Sequence, residues 1–129
     1  MKTDREIAEY WYGELVDSLR LISSEFDVQE AALPDFVHIP DEVLNSFPID
    51  SLHTISNQGL VSNAQLEALM EFDSLLEEIA LPPDYDDMLE MMRSGAEFES
   101  LREKAVNLLE KLGHKYEEPK INATYVKGS

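Results

Sequence analysis

Apolar residues recur at intervals of three and four, between residues that start and stop helices, and this spacing constrains the fold most. Thr3 and Glu6 form a T-x-x-E capping box, and Ile7, Trp11, Leu15, Leu19 and Ile22 follow. At 3.6 residues per turn these five share one helix face. Tyr12 and Val16 widen that face, while Glu9, Glu14, Asp17 and Arg20 fall elsewhere on the wheel, so the segment predicts an amphipathic core helix of about 20 residues. Gly13 lies inside it at a cost of about 1 kcal/mol relative to alanine, which points to a close helix contact. A second box, Ser62 with Gln65, precedes Leu66, Leu69, Met70, Leu76 and Ile79, and Pro82 and Pro83 end that run. A third stripe, Phe98, Leu101, Ala105, Leu108 and Leu112, finishes at Gly113, a candidate left-handed cap.

The segment ALPDFVHIPDEVLNSFPID (32–50) interrupts this regularity with three of the six prolines. Asp27 is expected to cap a short helix that Pro34 stops. Pro40 with Asp41 and Glu42 has the pattern of a helix start, a proline in the first turn beside acids that favour the positive end of the macrodipole. Val43, Leu44 and Phe47 supply its apolar face, Pro48 opens a further short element ended by Gly59, and Phe36, Val37 and Ile39 are expected to pin the turn PDFVHIP to the core. Asp84 is the expected cap of a short helix carrying Met88, Leu89 and Met92, and Gly95 separates it from the last stripe. With no strand pattern or repeat, the expectation is an all-α, single-domain helical bundle of two or three long helices with short helical connectors. It covers residues 1–113. Residues 114–129 read as a C-terminal tail, packing locally through Tyr116 and Ile121 and ending in residues compatible with an expression scar.

Composition narrows the function. A chain of 129 residues can bury a real core, and the absence of cysteine excludes a disulfide scaffold, a thiolate metal site and a cysteine nucleophile. Neither a signal-type apolar run nor an 18-residue apolar stretch occurs, so a cytoplasmic location is expected. Twenty-seven acidic residues against ten basic ones give a formal charge of −17. That charge opposes binding to phosphate backbones and anionic membranes and favours a basic macromolecular partner through long-range steering. It also exceeds the magnitude of about 2–8 that solubility requires of a small domain.

Residues with chemical potential do not assemble into a known catalytic pattern. His38, His53 and His114 lie in no HExxH-type spacing. The run DYDD, Asp84 to Asp87, lacks the glycine and glutamate that complete a calcium loop. The glycines form no phosphate-binding loop, and Met88, Met91 and Met92 read as a helix contact. The expectation is no catalytic residue, no metal, no cofactor and no enzyme.

Three segments, GELVDSLRLISSEFDVQEAALPDFVHIPDEV, ISNQGLVSNAQLEALMEFDSLLEEI and EFESLREKAVNLLEKLG, resemble in order and spacing the small acidic immunity proteins of contact-dependent growth inhibition and related polymorphic toxin systems of bacteria. The resemblance spans about Gly13 to Gly113. ALPDFVHIPDEV is its most specific part, supported by Arg102, Ala105, Leu108, Leu109, Leu112 and Gly113; Phe98 stands where such relatives usually carry tryptophan. It implies a cytoplasmic protein that binds one toxin domain, often a nuclease, and covers its active site or substrate path. The groove of a nuclease must be basic to hold phosphates, so an acidic helical face can occupy it. The candidate partner-binding residues are Asp35, Asp41, Glu42, Asp84, Asp86, Asp87 and Glu90, concentrated at the connector and at the short-helix start, outside the apolar stripes. Two other readings remain open: an acidic adaptor or DNA-mimic regulator, and a small enzyme using His38 with Asp35 or Asp41.

Overall fold

Both capping boxes close as their sequences require in the computed structural model, which describes residues 2–119. The Thr3 hydroxyl accepts from the Glu6 amide at 3.1 Å and the Glu6 carboxylate accepts from the Thr3 amide at 3.3 Å, starting helix α1 (Asp4–Ser23). Ser62 and Gln65 exchange the same two bonds at 3.1 and 2.7 Å and start α5 (Asn63–Glu77). Between them lie α2 (Phe26–Ala32), α3 (Ile39–Asn45), a 3-10 turn (Ile49–Ser51) and α4 (Leu52–Asn57). The chain continues through α6 (Tyr85–Ser94) and α7 (Ala96–Lys111). The protein is an all-α single domain, with no strand among the described residues.

The plan of two or three long helices with short connectors is corrected. The 20-residue α1 packs mainly on the 16-residue α7, which also contacts α5 and α6. The short helices, however, are members of the core. Phe26 of α2, Val43 of α3, Leu52 and Ile55 of α4 and Met92 of α6 are all buried in one cluster with Leu15, Leu19, Leu69, Leu101 and Leu109. A helix of six or seven residues is too short to display a 3.6-residue period, yet one or two apolar side chains suffice to seat it.

Several apolar assignments also change. Ile7 is 37% exposed and Trp11 only half-buried, because the buried stripe of α1 begins at Ala8 and becomes continuous only from Leu15. Phe36 and Met70 are 52% and 42% exposed, and the buried aromatic of α5 is instead Phe72, edge-on to Phe47 at 5.5 Å. Asp27 does not cap α2. The cap is Glu25, without a side-chain bond, and Asp27 sits exposed in the first turn.

The glycines divide by physical role. Gly113 adopts φ 86°, its amide reaches the Glu110 carbonyl at 3.0 Å, and the next amide, His114, reaches Leu109 at 2.8 Å, the paired bonds of a Schellman ending. Gly95 joins α6 directly to α7, and a Cβ there would lie 2.5 Å from the Met91 carbonyl oxygen. Gly13, by contrast, marks no close contact: a Cβ would meet nothing within 4 Å.

Beyond Gly113, the chain lies against α1. The Tyr12 hydroxyl pairs with His114 Nε2 at 2.8 Å, the Tyr116 hydroxyl with Ser24 at 2.9 Å, and Arg20 with Glu117 at 3.2 Å. Ile121 and the end of the tail lie outside the described residues.

Candidate functional site

The start of α3 and the start of α6 meet. Pro40 in the first turn fixes the entry of α3, and the His38 imidazole caps it, accepting from the Asp41 amide at 3.3 Å. That ring also packs at a tilt against Tyr85, with centroids 5.0 Å apart. At α6 the Asp84 carboxylate accepts from the Asp87 amide at 3.2 Å, as its sequence position requires. The contact joins the helix starts that carry Asp41 and Asp84.

Of the seven candidate residues, Asp35, Asp41, Asp84, Asp86, Asp87 and Glu90 are exposed, and Glu42 is half-buried. Their roles differ. Asp41 lies 3.2 Å from His38 Nδ1, and Asp84 is occupied by its cap. Asp86 and Asp87 stand in the first turn of α6, where the macrodipole favours negative charge. Glu90 is a turn further on, 3.8 Å from Arg93 and accepting from the Ser94 hydroxyl at 3.0 Å, so part of its charge is already answered. Two exposed aromatics adjoin these acids in sequence: Phe36, at 52%, follows Asp35, and Tyr85, at 39%, stands between Asp84 and Asp86.

From Asp41 the surface continues into an open pocket of about 490 Å³. Trp11 and Phe47 supply aromatic surface, Leu44 and Leu76 apolar surface, and Asp41, Asp50, Asp73 and Glu77 the charge. No lysine, arginine or histidine lines it. Burial raises the Asp73 carboxyl above its ordinary value, and the charge and hydrogen bond of Glu77, one turn along α5, and the charge of Asp50 raise it further.

Apart from Asp41, the pocket residues were not among the sequence candidates, for identifiable reasons. Trp11 falls on the apolar stripe of α1, and Asp73 and Glu77 look like the solvated face of α5. One signal does point to them. No lysine or arginine stands between Arg20 and Arg93, and sixteen acidic residues do. The segment holding α2 through α6 therefore carries nearly all of the net charge, while the bases cluster near α1 and α7.

Among the described residues no group of three or more histidines or carboxylates could hold a metal ion, and no helix is long and apolar enough to cross a membrane. His38 with Asp41 makes a capped helix start. No protein-family model, no curated protein and no solved structure matches the chain.

Proposed function

We propose that this is a cytoplasmic, non-enzymatic immunity protein that binds a cognate bacterial toxin domain one to one and blocks a basic active-site or substrate groove. The observation that carries the reading is the run of sixteen acids without a lysine or arginine, whose connector and helix-start members adjoin the exposed Phe36 and Tyr85 in sequence. An excess of carboxylates accelerates encounter with a basic partner and rejects acidic ones. Exposed aromatic rings provide the desolvated anchors on which binding energy concentrates. A nuclease groove, lined with the bases that hold phosphates, is the surface most complementary to both.

Affinity capture of the tagged protein from its native cells, with washes at low and high salt, tests this reading. A single basic partner that survives high salt and carries a toxin domain supports it. Several salt-labile partners, or a nucleic-acid-binding regulator, would replace it with an acidic adaptor or DNA mimic.

A further inference from the structure

The pocket beside Asp41 has a more specific chemistry than the face around it. We propose that it receives the side chain of an arginine presented by the protein partner; this rests on reading the acidic face as a protein-binding surface. The occupant follows from the walls. Asp73 and Glu77, one turn apart on α5, line the pocket together with Asp50 and Asp41, and no lysine, arginine or histidine lines it to answer them. A donor that bridges two carboxylates while keeping its positive charge fits this arrangement, and a planar guanidinium does so with several fixed N–H groups. Trp11 offers the ring on which a guanidinium stacks, the strongest of the aromatic faces for a cation. Leu44, Phe47 and Leu76 suit its three-carbon stem.

Lysine fits less well, since its compact ammonium is more strongly hydrated and cannot make the forked contact. The opening of the pocket favours a side chain over a free cation. Asp41 belongs both to its lining and to the face shared with His38 and Tyr85, so a residue entering here belongs to a partner already seated on that face.

Trp11 is the only tryptophan in the chain, so its emission reports on the pocket. The probes are acetyl-arginine methylamide, its lysine counterpart and the neutral citrulline isostere, titrated into the intact protein with backbone amide shifts followed in parallel. A saturable change with the arginine probe at millimolar concentration is expected. Binding should be ~10-fold weaker for citrulline and weaker by a similar factor in Asp50→Asn/Asp73→Asn, about the loss of one charge-assisted contact. Equal responses to arginine and citrulline, an unchanged double variant, or neither emission nor amide changes at the pocket would overturn the inference. None of these results depends on finding the toxin, so the pocket can fail while a single salt-resistant partner still supports the immunity reading.

Discussion

Replacing Gly95 with alanine perturbs the junction that hands α6, with its acids, directly to α7. The backbone there, φ −72° and ψ 139°, suits any L-residue, so torsional strain contributes nothing. The obstacle is distance. A Cβ would lie 2.5 Å from the Met91 carbonyl oxygen and 3.0 Å from Met91 Cγ. That oxygen is held in place because it accepts the Gly95 amide at 2.7 Å, the bond that closes α6. Breaking the bond costs about 1 kcal/mol, and pushing Met91 off its packing costs about 1–3 kcal/mol. Alanine restricts the unfolded chain and returns about 0.4–1 kcal/mol. The net expectation is a loss of about 1–3.5 kcal/mol, a fall in melting temperature of roughly 4–13 °C for a domain of this size. Urea denaturation followed by far-UV circular dichroism measures it, with an unchanged slope showing that the denatured state is the same. A neutral or stabilised Gly95→Ala would refute the argument that close approach, not backbone angle, requires glycine here.

Gly13→Ala should do the opposite and raise stability by about 0.5–1 kcal/mol in the same assay, because the position is helical, exposed and open to a Cβ. Leu19→Ala, at a fully buried position of α1, should cost about 2–5 kcal/mol. Asp73 has a folded-state affinity for protons above its unfolded one, so its charged form opposes folding at neutral pH, and stability is recovered as pH falls through the raised value toward 3.8. Asp73→Asn should therefore stabilise by about 0.2–0.5 kcal/mol at neutral pH, the scale of a like-charge pair one turn apart, with the difference from the parent shrinking as the solution is acidified; a gain that persists in acid would assign the effect elsewhere. Charge reversal in Asp35→Lys and Asp41→Lys should slow association with the captured partner or weaken it several-fold, as surface plasmon resonance would show, and unchanged kinetics would remove the connector from the interface.

Features governed by neighbouring residues were legible in the sequence. Thr3 with Glu6, Ser62 with Gln65, Asp84 and Gly113 each act on amides or carbonyls within five positions, so their roles follow from spacing alone. The stripe of α7 was legible too, since Phe98, Leu101, Ala105 and Leu108 are buried as their period requires. Burial at the edges was not. Ile7 and Trp11 continue the period of α1 with no helix opposite to cover them fully, and Phe36 is apolar but lies on an exposed turn. The candidate surface was half legible. The acids of α3 and α6 were apparent as helix starts, but their meeting depends on the His38–Tyr85 contact, and the pocket joins Trp11, Asp41, Asp50 and Asp73 from distant parts of the chain.

The most direct test is protection. The basic partner retained at high salt is produced in susceptible cells with this protein or with its Asp35→Lys/Asp86→Lys/Asp87→Lys variant, whose fold is checked by circular dichroism. Restored growth and one-to-one inhibition of the partner's activity by the parent protein, both lost in the folded variant, are the predicted results. Equal protection by the variant, or a partner whose activity the parent protein leaves untouched, would contradict the account.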